Sequence, residues 1–107
     1  MTETIVERLE AMLAQGQDSH LLRFGLASAY FNQKSYRNAL VHLTRCVEQE
    51  PAHSAAWKLL GRSYQALGQR ADAVNAFEQG LKVAQANGDK QVEREITVFL
   101  KKLTKQA

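Results

Sequence analysis

At 107 residues the chain is long enough for one domain with one sizeable core, and a 45% hydrophobic fraction excludes wholesale disorder. A formal charge of +3, with the acids interspersed among the bases, is too mild for the clustered basic stripe of a nucleic-acid protein. A lone cysteine, Cys46, excludes a disulfide framework, and the absence of a signal-peptide apolar segment or a run of ~20 apolar residues leads us to expect a cytoplasmic protein with no membrane contact.

The apolar residues recur with helical spacing from end to end. Ile5, Val6, Leu9, Met12 and Leu13 make one stripe and predict a first helix over 1–15. Glu3 would suit its positive end, and Gly16 its C-terminal cap. Asp18 or Ser19 is placed to cap a second helix over 20–33, with Leu22, Leu26, Ala29 and Tyr30 on its apolar face. Ser35 would cap a third over 36–49, with Tyr36, Ala39, Leu40, Leu43, Cys46 and Val47 inward. Pro51 biases Glu50 away from helical angles and closes that helix. Ser54 would cap a fourth over 55–67, and Gly68 ends it. A fifth over 70–86 carries Ala73, Val74, Phe77, Leu81 and Ala84 and stops at Asn87-Gly88. Asp89 would cap the last helix, which runs to about 105 with Val92, Ile96, Phe99, Leu100 and Leu103 on one face. Six helices joined by short loops, with no alternating stretch, predict an all-α fold of antiparallel neighbours.

Sliding the chain by 34 residues superimposes Leu26 on Leu60, Tyr30 on Tyr64, Ala39 on Ala73, Leu43 on Phe77, Ala27 on Gly61 and Cys46 on Gly80. Trp57, Leu60, Gly61 and Tyr64, followed by Ala73 and Phe77, have the spacing W-x2-L-G-x2-Y then A-x3-F. Small residues at 27, 61, 39 and 73 would let paired helices approach closely. Trp57, Tyr64 and Phe77 would fill the space between them. The segment from about His20 to Gln85 resembles two tetratricopeptide repeats, a family pattern specific for fold and unspecific for function. The first copy departs at Arg23, where tryptophan is usual, and at Leu43, where phenylalanine is commoner. The second departs at Gly80 and Gln85. The whole chain also resembles small bacterial proteins built as one such domain with flanking helices. This organisation implies a single domain over 1–107: an N-terminal capping helix over 1–17, repeats over 20–53 and 54–87, and a C-terminal capping helix over 88–107. The implied architecture is a short right-handed α-solenoid.

The resemblance implies that the first helix of each repeat lines a concave groove. Leu21, Phe24, Ser28 and Phe31 then face it from one repeat, and Ala55, Lys58, Arg62 and Gln65 from the other. Phe24 and Phe31 are seven apart and Lys58 and Arg62 four apart, so each pair shares a helix face. Phe24, Ser28, Phe31, Lys58, Arg62 and Gln65 are therefore the candidate partner groove, suited to a peptide with apolar anchors and a carboxylate. A competing reading folds the last helix inward over Phe24 and Phe31. A third repeat in register would place apolar residues at Gln91, Arg94, Glu95 and Val98. The stripe is instead rotated by about 100°, so the last helix is expected to cap the fifth and partly close the groove. Family members that bind chaperone C-termini use a clamp of Lys, Asn, Asn, Lys and Arg. The corresponding residues here are Phe24, Ser28, Leu59, Asp89 and Glu93, none of which matches.

No catalytic site, cofactor or metal site is expected. His42 and Cys46 have ligand-compatible i, i+4 spacing, but Cys46 occupies a small packing position and His42 reads as a surface residue. His20, at a helix start, and His53, in the Pro51 loop, read the same way. No nucleotide-binding or nucleophile-elbow motif occurs. The function implied is a non-catalytic protein–protein interaction module for an unknown protein or peptide, acting as a monomer. The alternatives are a nucleic-acid-binding helical repeat that uses Lys58, Arg62 and the lysines at 101, 102 and 105, or a homo-oligomeric scaffold.

Overall fold

The structure, a computed structural model, describes residues 4–105. It contains six helices: α1 (Ile5–Ala14), α2 (His20–Asn32), α3 (Tyr36–Gln49), α4 (Ser54–Ala66), α5 (Arg70–Asn87) and α6 (Lys90–Lys105). No strand occurs among the described residues, and no helix is long and apolar enough to cross a membrane. Helices α2 and α3 form one hairpin, and α4 and α5 a second. Packing of α3 on α4 stacks the hairpins, while α1 lies on α2 and α6 on α5. The result is an all-α solenoid of 46 × 28 × 19 Å.

The ends of the helices follow from local chemistry. Thr4 and Ser19 cap α1 and α2 by accepting the amides of Glu7 and Leu22. Glu3 lies outside the described residues. Helices α1, α2 and α4 finish on one left-handed residue each: Gly16, Lys34 and Gly68. In each case the following amide reaches back five residues: Gln17 to Met12, Ser35 to Tyr30, Gln69 to Tyr64. Two expected caps are absent. Ser35 holds the N-cap position of α3, but its hydroxyl accepts from the Asn38 amide group. Ser54 is the first residue of α4, and its buried hydroxyl donates to Asp89 at 2.9 Å. The cap of α4 is His53, whose Nδ1 accepts the Ala56 amide at 3.2 Å. A long-range bond to the start of α6 thus outcompetes the local one.

The core has two parts that share Tyr64. Ala27, Ala39, Leu43, Cys46, Ala56 and Leu60 form one between α2, α3 and α4. Ala73, Phe77, Ala84, Val92, Ile96 and Leu103 form the other between α5 and α6. The close approaches expected at the small positions are present. A Cβ on Gly61 would lie 2.5 Å from the Phe77 ring, and one on Gly80 would lie 2.8 Å from Trp57 Cβ and 2.9 Å from Ile96. Any side chain there would force helices apart.

The rotated stripe of α6 faces α5 as expected. Val92, Ile96 and Leu103 are buried, Gln91, Arg94 and Val98 are exposed, and Phe99 stacks on Phe77 with centroids 5.2 Å apart. The Arg70 guanidinium donates to the Leu103 carbonyl and fastens the far end. Lys101, Lys102 and Lys105 are exposed at the α6 C-terminus, where cations complement the helix dipole.

A candidate partner groove between the first helices of the hairpins

Helices α2 and α4 run side by side and leave a cleft of about 250 Å³ between them. Phe24, Ser28, Phe31 and Asn32 line it from α2, and Ala55, Lys58, Leu59 and Arg62 from α4. The i, i+4 and i+7 spacing of these residues aims them at one strip. Of the six expected groove residues, five converge there: Phe24, Ser28, Phe31, Lys58 and Arg62. Gln65 lies half-buried one turn further along α4 and does not line the cleft. Neither does Leu21, which is 68% exposed. Sequence reasoning missed Asn32, which it assigned to the turn, and Leu59, whose spacing from Ala55 was the available signal.

The packing residues occupy the positions the repeat demands. Leu26, Ala39, Leu43, Ala73 and Phe77 are fully buried, and Leu60 and Gly61 nearly so. Tyr30, Trp57 and Tyr64 are half-buried at the seams. Trp57 keeps its ring fixed by donating from Nε1 to the Pro51 carbonyl at 2.8 Å.

Helix α6 contacts the two cations that line the cleft from α4. Lys58 Nζ donates to Glu95 at 2.8 Å. The Arg62 guanidinium lies over the rings of both Phe31, at 4.8 Å, and Phe99, at 5.5 Å. Phe24 packs its ring on His53 at 4.6 Å and Phe31 meets Tyr36 edge-on at 5.1 Å. Both aromatics are half-buried. They form a floor that α6 borders without covering. Lys58 and Arg62 are thus both held in place by neighbouring side chains.

A second polar assembly links α1 to the first hairpin. Glu10 accepts from the Tyr30 hydroxyl at 3.1 Å and from His42 Nε2 at 3.2 Å. Arg23 donates to His42 Nδ1 at 3.1 Å and grips Asp18 with two bonds of 2.8 Å. An N–H aimed at Nδ1 requires that nitrogen to be unprotonated, so His42 carries its proton on Nε2. Burial pushes His42 below the usual imidazole value. Arg23 and Gln49 hold the Asp18 carboxyl far below the usual carboxylate range. His42 is buried, not the surface residue the sequence suggested. Its side chain bonds into this network. The histidines that do approach Cys46 are His20 and His53, which come from other elements.

A protein-family profile described as "Anaphase-promoting complex, cyclosome, subunit 3" matches residues 2–80. The chain is 54% identical to the TPR repeat-containing protein PA0015 of Pseudomonas aeruginosa over 99 residues, covering 92% of this chain and 94% of that one. It belongs to the tetratricopeptide-repeat family. Among solved structures, protein BPP2914 from Bordetella parapertussis superposes with a TM-score of 0.86 at 47% identity, over 98% of this chain and 91% of that one. A tetratricopeptide repeat domain protein from Salinibacter ruber shares the fold, with a TM-score of 0.79 at 23% identity over 84% of this chain and all of that one. The family profile ends at residue 80, before α6, in keeping with the rotated apolar stripe of that helix. Tetratricopeptide repeats are in general protein-interaction modules and are generally non-catalytic.

Proposed function

We propose that this tetratricopeptide protein is a non-catalytic adaptor whose α2–α4 cleft receives a segment of a partner protein. Its working unit is one domain: repeats over 20–53 and 54–87, closed by α1 at one end and α6 at the other. The observation that carries the reading is the pairing of a half-buried aromatic floor, Phe24 and Phe31, with two prepositioned cations, Lys58 and Arg62. At about 250 Å³ the cleft is smaller than the ~300–1,000 Å³ common for small-molecule sites. It suits one or two anchoring side chains of a peptide. Glu95 is an internal stand-in for a partner's carboxylate, and a carboxylate from the partner would compete with it for Lys58. The single thiol and the absence of any apolar spanning helix among the described residues support action in the cytoplasm.

The test is a pull-down with the wild-type chain against Lys58→Glu/Arg62→Glu, followed by amide NMR with the retained partner. Partners lost only in the double variant, with shifts at Phe24, Ser28, Phe31, Lys58 and Arg62, are expected. Shifts confined to the outer faces of α3 and α5 would overturn the proposal.

A further inference from the structure

His20 opens α2, Cys46 lies late on α3, and His53 precedes α4. They are separated by 25 and 6 residues, a spacing that belongs to no ligand motif. Yet the fold brings one donor atom from each to within 4.8 Å of the other two. The two imidazoles meet edge-on with centroids 5.5 Å apart. The Cys46 thiol is fully buried and donates to the His20 carbonyl at 3.3 Å. His20 Nδ1 is buried and has no hydrogen-bond partner. A buried imidazole nitrogen without a partner is costly, and no packing requirement explains two histidines converging on one thiol.

We propose that His20, Cys46 and His53 form a zinc site with a fourth position open to water or to a partner's ligand. Two imidazoles and one thiolate suit Zn²⁺, whereas Mg²⁺ and Ca²⁺ require oxygen donors. Metal–ligand distances of about 2.0–2.3 Å in a tetrahedron need donors about 3.5 Å apart. The present spread of up to 4.8 Å closes by side-chain rotation on the order of 1 Å. Three protein ligands with one open position is the arrangement of reactive zinc sites, whereas structural sites use four.

The Cys46 S–H bond breaks as the zinc–sulfur bond forms, and the proton passes to solvent. Burial, then the Glu50 carboxylate, push the free thiol up to about 11, so the metal itself drives the deprotonation. His53 also gives something up. A neutral imidazole has one lone pair, and in the free chain that lone pair on Nδ1 accepts the Ala56 amide. Zinc takes Nδ1 directly, or takes Nε2 and sends its proton to Nδ1. In either case the cap of α4 is exchanged for the metal bond, and the Ala56 amide reports it. The site meets the cleft where the Phe24 ring packs on His53 at a tilt of 38°. It does not depend on the groove reading.

The experiment titrates the reduced full-length chain with Co²⁺, then displaces it with Zn²⁺ against a chromophoric chelator. One cobalt per chain is expected, with a near-ultraviolet sulfur-to-cobalt charge-transfer band that zinc abolishes. A shift of the Ala56 amide on adding zinc should accompany it. Cys46→Ser should remove the band. His53→Asn keeps an oxygen to cap α4 but lacks an imidazole, and should weaken zinc by at least about tenfold, the low end of what even indirect metal-site mutations cost. If Cys46→Ser fails to fold, His53→Asn decides alone. No charge-transfer band, or zinc bound equally tightly by His53→Asn, would overturn the site.

Discussion

Where the second hairpin has Trp57, the first has Arg23, and where the second has Ala76, the first has His42. Both hairpins have a first helix of 13 residues and the same short turn, so the difference at these positions is one of chemistry. In the second, Trp57 fills the seam and its indole N–H goes to a local carbonyl, while α6 docks through Ile96 and Phe99. In the first, Arg23 and His42 run a chain of hydrogen bonds from Asp18 to Glu10, and α1 docks with no fully buried residue of its own. Apolar burial scales with area and tolerates sliding. A hydrogen-bonded chain fixes geometry but loses its worth when one member changes protonation. The two ends of the solenoid should therefore respond to different perturbations.

The largest expected effect is on the apolar hairpin. Gly61→Ala drives a Cβ into the Phe77 ring, which is fully buried and stacked on Phe99 and has little room to retreat. The expected loss is about 1–3 kcal/mol, net of the ~1 kcal/mol that alanine gains over glycine as a helix former. The first hairpin already uses the compensated pair, Ala27 with Leu43. Gly61→Ala/Phe77→Leu should accordingly be less destabilised than the sum of its single variants. Urea unfolding of the cycle measures the coupling, and simple additivity would show that the two hairpins do not share this packing solution.

A smaller effect, of the opposite selectivity, comes from pH. The pKa of His42 is lowered in the fold, so near pH 6.5 and below the unfolded chain binds a proton that folded His42 resists. Stability is therefore full above about 6.5 and falls as pH drops through the lower folded value. The urea midpoint should be lower at about pH 5.5 than at about pH 7.5, and His42→Gln should flatten the difference. His53 is shifted in the same direction by burial and then by His20, which leaves a residual slope in the variant. Hydrogen exchange should locate the acid-induced opening in α1 and α2 rather than in α5 and α6.

The smallest effect is at the turns. Lys34 and Gly68 occupy equivalent positions with φ of 62° and 75°. Lysine bears a steric cost there that glycine does not. Lys34→Gly is expected to stabilise the chain by up to about 1 kcal/mol, offset in part by the greater freedom of glycine in the unfolded state. A higher thermal midpoint would confirm that the two turns are one motif with unequal residues.

The helices and the repeat were legible because they rest on local periodicity. The stripe spacing located all six helices to within a few residues, and the 34-residue shift paired Ala27 with Gly61 and Leu43 with Phe77. The rotation of α6 was also readable, since one residue of offset turns an apolar face by about 100°. Five of the six residues expected on one strip do line the α2–α4 cleft, because their spacing puts them on shared helix faces. What the sequence could not reveal involves pairs distant in the chain. Ser54 was read as a cap because its bond to Asp89, 35 residues away, is invisible locally. His42 was read as a surface residue because its partners lie on two other helices. His20, Cys46 and His53 read as unrelated residues because only the stacking of three elements brings them within 4.8 Å. Sequence by itself determined which residues form helices and which faces are apolar, because those depend on neighbours a few positions away. Only the tertiary structure decided which polar groups are buried together, because that depends on where separate helices cross.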